Sequence, residues 1–178
     1  MARFVADLGS ETVPPYWLTL TGVNGTGKTM LMNQVFNKAH ELNPGNPKNN
    51  PIWPPDWATN GRRRYEGGER PYCLWLDERT LAARMRSGQE WDLAGRYRGD
   101  FFLAFDELGS VRDPTNFIAD ALATFCESRL RGWTMFTTNL SLQEVSERID
   151  ARVASRLIRD GNKVVQITAR DYAFRGRH

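Results

Sequence analysis

Five short apolar runs punctuate the chain, at residues 16–20, 72–77, 100–109, 133–140 and 162–168, and each reads as a strand. The segments between them carry helical spacing instead. Leu31, Val35, Ala39 and Leu42 make one apolar stripe, widened by Met32 and Phe36. Ile118, Ala121, Leu122 and Phe125 make a second, with Pro114 suited to its first turn and Gly132 to its stop. Ser141 and Glu144 form a capping box that opens a third helix, and residues 150–159 are read as continuing it. Strands alternating with helices predict an α/β fold, a five-stranded parallel sheet with helices on both faces.

Residues 43–71 break the pattern: dense in proline and glycine, they carry neither period. An irregular insertion of this length is usually functional or disordered. Trp53, Trp57 and Tyr65 beside Arg62, Arg63 and Arg64 suit single-stranded nucleic acid, with rings for stacking and guanidinium groups for phosphates. The same residues equally suit folding back on the domain or meeting a protein partner.

Composition narrows the class. A chain of 178 residues, 40% hydrophobic and 25% charged, is expected to form one globular domain over residues 1–178. No apolar run reaches membrane-spanning length, and "MARFVADLGSETVPP" lacks the apolar stretch of a signal peptide, so a cytoplasmic protein without membrane contact is expected. Cys73 and Cys126 fall within a strand and a helix and read as reduced core residues. With two histidines a zinc site is not expected. The net charge of +3 permits a polyanion partner without requiring one.

Chemistry enters after the first strand. "GVNGTGKT", residues 22–29, matches G-x-x-x-x-G-K-[ST] between a strand and a helix. Gly22, Gly25 and Gly27, with Val23, Asn24 and Thr26 between them, would curl the backbone so that its N–H groups face phosphates. Lys28 would reach the β- and γ-phosphates of ATP, and Thr29 would ligate Mg²⁺. The run "DFFLAFDELG" ends in Asp106 and Glu107, placed to hold Mg²⁺ and to polarise an attacking water. That pair favours hydrolysis over transfer to an acceptor. Arg152 and Arg156 stand four apart and share a helix face, turned either to water or to a partner.

The order "GVNGTGKT", "FFLAFDELG", "FTTNL", "ARVASRL" and "RDYAFR" resembles the AAA+ family, within it the replicative-helicase loaders of the DnaC/DnaI type and the similar IstB transposition ATPases. The resemblance runs from about residue 16 to residue 175. It implies a P-loop ATPase without a separate helical lid domain, assembling as a homo-oligomeric spiral or ring. It gives Asn139 the sensor 1 position, although an asparagine ending a strand also suits a plain turn. It gives Arg152 the role of a finger into the neighbouring subunit's nucleotide, with Arg156 sharing that task or bracing the interface. Arg175 falls at the sensor 2 position.

Single-stranded DNA and a replicative helicase are the implied partners. Arg84, Arg86, Arg96, Tyr97 and Arg98 lie where loaders carry a DNA-touching element, or form a solvated basic face. Loaders generally grip the helicase with an N-terminal domain. Here about 15 residues precede the first strand, so that task would pass to a separate partner or to the insertion. The competing readings are an IstB-like ATPase on duplex DNA, a P-loop nucleotide or small-molecule kinase, and a nucleotide-gated scaffold.

Overall fold

The computed structural model describes residues 1–8, 10, 12–42, 73–88, 102–113, 115–130 and 132–169. The strands are β1 (Trp17–Thr21), β2 (Cys73–Asp77), β3 (Phe102–Leu108), β4 (Trp133–Thr138) and β5 (Lys163–Gln166). They form one sheet in the order β2-β3-β4-β1-β5, and every pairing is parallel. The expected sheet is therefore present.

Alternation along the strands splits the interior in two. Leu18, Leu20, Phe102, Ala104, Trp133 and Met135 face one layer, and Trp17, Leu103, Phe105 and Phe136 face the other. The first layer is closed by α2 (Lys28–Leu42) and by a short helix α1 (Ala2–Leu8) that the apolar pattern does not announce. Phe4 and Leu8 of α1 are buried, and the Phe4 ring meets Tyr16, Phe102 and Trp133 edge-on. The second layer is closed by α3 (Glu78–Arg86), α4 (Phe117–Ser128), α5 (Leu142–Arg148) and α6 (Ala151–Ile158).

Several expectations shift at the helix ends. The buried line of α2 is Lys28, Met32, Val35 and Ala39, whereas Leu42 is 43% exposed. The phase follows Lys28, which turns inward at the start of the helix. Helix α4 begins at Phe117, beyond Pro114, and the Asp113 carboxylate caps it by accepting from the amides of Ile118 and Ala119. It ends at Ser128, before Gly132. The buried Arg129 guanidinium packs over Gly132, where a Cβ would stand 2.6 Å from Arg129 Cζ. The capping box of Ser141 and Glu144 forms as expected, but the helix it opens stops at Arg148. Asp150 is extended and starts α6 by accepting from the Arg152 amide at 2.6 Å. Cys73 and Cys126 form no disulfide and are buried in opposite layers.

Candidate nucleotide-binding site

The carboxyl ends of β1, β3 and β4 open onto one edge of the sheet, where open parallel sheets bind ligands. The loop after β1 requires its glycines. Gly22 has φ +144°, and a Cβ there would lie 2.4 Å from the Ile167 carbonyl oxygen, behind the end of β5. Gly25 and Gly27 also take positive φ, which lets the chain fold into a compact turn before α2 starts at Lys28.

Lys28 is only 7% exposed as a residue. Its Nζ donates to the carbonyls of Gly22 at 2.7 Å and Val23 at 2.8 Å, and to Asn139 Oδ1 at 2.8 Å. Burial pushes its pKa down, against the opposing pull of Asp106 and Glu107. A dehydrated cation under a glycine loop is suited to an anionic ligand. Asn139, one residue past β4, reaches the same point from another strand end.

Asp106 is buried, and its Oδ1 accepts from the hydroxyls of Thr29 at 3.1 Å and Thr137. The β3–β4 ladder then slips. Phe105 pairs with Phe136 and Leu108 with Thr138, so two residues of β3 oppose one of β4. The extra residue gives Glu107 φ +59°, the left-handed region that a glutamate rarely occupies. Its side chain is 44% exposed, with Arg79 Nε 3.5 Å from Oε2.

A cavity of about 250 Å³ lies between these groups, lined by the loop from Asn24 to Thr29, by Glu107 and by residues 137–139. Basic and amide-rich on one wall and acidic on the other, it suits a polyphosphate with a divalent cation between the two. Thr29 Oγ1 and Asp106 Oδ1 are hard oxygen donors already within hydrogen-bonding distance of each other. One carboxylate and one hydroxyl fit Mg²⁺, which keeps waters and takes its remaining ligands from phosphate. Among the described residues no cluster of three or more His, Cys, Asp or Glu offers an all-protein metal cage.

The arginines of α6 lie away from this cavity. Arg152 Nη2 contacts Asp120 at 2.7 Å and Asp150 at 2.8 Å; the bonds to Asp150 and Asp120 raise the guanidinium's pKa, and the guanidinium lowers that of Asp150. Arg156 Nη2 contacts Glu127 at 2.8 Å and draws that carboxyl's pKa down. Asp120 and Glu127 both belong to α4, so the pair does share a face, and it leans on that helix. The two differ in access: the Arg152 side chain is 60% exposed and that of Arg156 is 15%. Arg86 bonds the Arg112 carbonyl at 3.1 Å, and Arg84 is half-buried on the same helix. Arg62, Arg63, Arg64, Arg96, Tyr97, Arg98 and Arg175 lie outside the described residues, as does the 43–71 insertion.

Three residues at the site were not singled out from the sequence. Thr137 and Thr138 bond across the β3 irregularity. Glu78, 2% exposed, accepts from the Ser110 amide at 2.6 Å, the Ser110 hydroxyl at 3.2 Å and the Val111 amide at 3.1 Å. It thereby ties the start of α3 to the turn that follows Glu107.

No family model and no curated protein matches the sequence. Solved structures do match in fold. DnaI superposes with a TM-score of 0.65 at 19% identity, over 96% of this chain and 81% of that one. The DnaC helicase loader gives 0.61 at 19%, over 92% and 85%. The replication initiator DnaA, bound to AMPPCP and single-stranded DNA, gives 0.61 at 15%, over 93% of this chain and 43% of its own. The fold is the AAA+ P-loop fold. The AAA+ resemblance read from the motifs thus meets helicase loaders again in three dimensions, through a likeness of fold. Among the described residues no helix is long and apolar enough to cross a membrane.

Proposed function

We propose that this chain is an ATP-hydrolysing, loader-like AAA+ protein, one ATPase domain over residues 1–178, that assembles on single-stranded DNA in the cytoplasm to load or control a replicative helicase. The observation that carries the ATPase reading is convergence: Lys28, Glu107 and Asn139 line one cavity from three strand ends, with Asp106 buried behind Thr29 at its wall. Lys28 exchanges the loop carbonyls for the β- and γ-phosphates. Thr29 and Asp106 would hold Mg²⁺, which would supply charge neutralisation at the phosphates. Glu107 orients and polarises the attacking water, Asn139 contacts the γ-phosphate beside it, and Arg175 acts on the same nucleotide.

Arg152 is the group offered to the next subunit, and Arg156, mostly buried, braces the helix that carries it. Of the present partners of Arg152, Asp120 is exposed, and a surface pair of that kind is weak enough to be exchanged. The likeness of fold to DnaI, the DnaC helicase loader and the replication initiator DnaA supports the replication setting. The basic residues Arg84 and Arg86, with Arg96, Tyr97, Arg98 and the arginines at 62–64, are the proposed DNA contacts.

The test is ATPase rate per subunit against protein concentration, with single-stranded DNA, duplex DNA or none. The expected result is a specific rate that climbs with concentration and with single strands. Preference for duplex would favour the IstB-like role, and a rate flat in both variables would overturn the shared site. Arg152→Ala protein should lose activity alone and regain part of it when mixed with Glu107→Ala subunits.

A further inference from the structure

The irregularity in β3 is held open by β4, and it is held by side chains. In a regular ladder between β2 and β4, the backbone of one of Asp106 and Glu107 would bond to β4 and that of the other to β2. Here the strands are out of step by one residue at that point, and the left-handed Glu107 has no place in the ladder. Two consecutive threonines fill the gap. The Thr137 hydroxyl donates to Asp106 Oδ1 and accepts from the Glu107 amide at 3.0 Å. The Thr138 hydroxyl donates to the Leu108 carbonyl at 2.7 Å and accepts from the Leu140 amide at 3.0 Å. Both side chains are 1% exposed, and each hydroxyl is satisfied as donor and acceptor.

This arrangement has more order than a strand end needs. A non-glycine residue at positive φ persists only where its surroundings over-determine it, and a bulge beside a site commonly serves to re-aim one side chain. The bulge here turns Glu107 toward the cavity while its neighbour Asp106 stays buried. Without the Thr137 hydroxyl, the part-buried Glu107 amide would lose this partner, and the simplest repair would be to rejoin the ladder. Rejoining it would rotate the carboxylate to another face, since side-chain direction alternates along a strand.

We propose that Thr137 and Thr138 are positioning residues for hydrolysis: their hydroxyls hold the β3 bulge that aims Glu107 at the attacking water and fix the oxygen of Asp106 that faces Thr29. The inference rests on the ATPase reading and adds the device that sets its geometry. It also links Asn139 to both acids, because Thr137, Thr138 and Asn139 are consecutive.

The test compares Thr137→Val, which keeps the shape and removes the hydroxyl, with Thr137→Ser, which keeps the hydroxyl. Steady-state kcat and KM for ATP are read alongside binding of a non-hydrolysable ATP analogue and a thermal melt. The expected result for Thr137→Val is a kcat lower on the order of 10- to 100-fold, as for loss of one buried hydrogen bond, with KM and analogue binding within about twofold. Thr137→Ser should restore most of the rate. Should Thr137→Val not fold, Thr138→Val carries the same expectation through the bond to Leu108. Full turnover in a folded valine variant overturns the inference, and so does an equal loss of rate and analogue binding that serine does not rescue. A wild-type chain that binds the analogue yet never turns over ATP overturns the ATPase reading itself, which separates the two failures.

Discussion

Strands β2 and β3 lie side by side and carry the same dipeptide close to their carboxyl ends, Asp77-Glu78 and Asp106-Glu107, with the two aspartates paired across the ladder. After Asp77 the chain winds directly into α3. The Asp77 carboxylate caps that helix by accepting from the Thr80 amide at 2.8 Å, and Glu78 turns inward onto Ser110 and Val111. After Asp106 the chain takes one extra residue, and Glu107 turns outward to the cavity. The letters are identical and the roles opposite. What differs is the neighbour: β3 has the threonines of β4 beside it, whereas β2 is the edge of the sheet. A carboxylate pair at a strand end therefore takes its chemistry from the strand next to it.

Exchanging the two glutamates for glutamine should separate these roles most sharply. Glu107→Gln should lower the hydrolysis rate by roughly 10²–10⁴, the range for loss of a positioned general base, while a non-hydrolysable ATP analogue still binds. Glu78→Gln should bind the analogue equally well and show its main effect in stability. Steady-state ATPase and analogue titrations on both variants decide the matter. A Glu107→Gln protein within a few-fold of the wild-type rate would remove the water-polarising role from that residue.

The contrast also marks where sequence reasoning reached and where it stopped. Residues 22–29 were legible because a phosphate loop is local: its glycines, lysine and threonine are neighbours in the chain and in space. The strands were legible because all but the β5 edge are buried and so nearly continuous in apolar residues. Asp106 and Glu107 could be read only beside the loop. Glu78 could not be separated from Asp77 by type, because its burial follows from a turn 32 residues away. The bulge is a relation between two strands, and no single stretch records it. Helix α1 is too short to display a period. The break at Asp150 was masked by the stronger capping box upstream, although an aspartate ahead of Val153 and Leu157 is itself a start signal. For Arg152 and Arg156 the spacing revealed the shared face, and only the fold revealed that α4 lies against it.

A smaller effect distinguishes the acids by pH. Burial raises the Glu78 carboxyl from its usual 4.5 to about 6, although hydrogen bonds from Val111, Ser110 and Gly109 pull the other way. A carboxyl whose folded value lies above its unfolded one holds an extra proton in the folded chain. Its contribution to stability is thus fully present below about pH 4.5 and is lost as the pH rises through about 6. The size is about 2 kcal/mol. Denaturant melts of wild type and Glu78→Gln across this window should show their difference in unfolding free energy shifting by that amount, against the wild type as the pH rises. A difference that stays flat with pH would mean that folding does not raise the Glu78 pKa.

The smallest effect belongs to the fourth carboxylate. Asp77→Ala removes an N-cap, which typically costs about 1 kcal/mol, and the loss should appear in the same melts. Because α3 begins with Glu78 and Arg79, the cap also bears on the chain that reaches Ser110 and Glu107. If the two strand ends are as independent as their different neighbours imply, Asp77→Ala should leave kcat at the wild-type value once the protein is folded. A kcat that falls with the cap would mean that α3 sets the position of Glu107 through Glu78 and Arg79. The acid site would then be supported from both flanking strands.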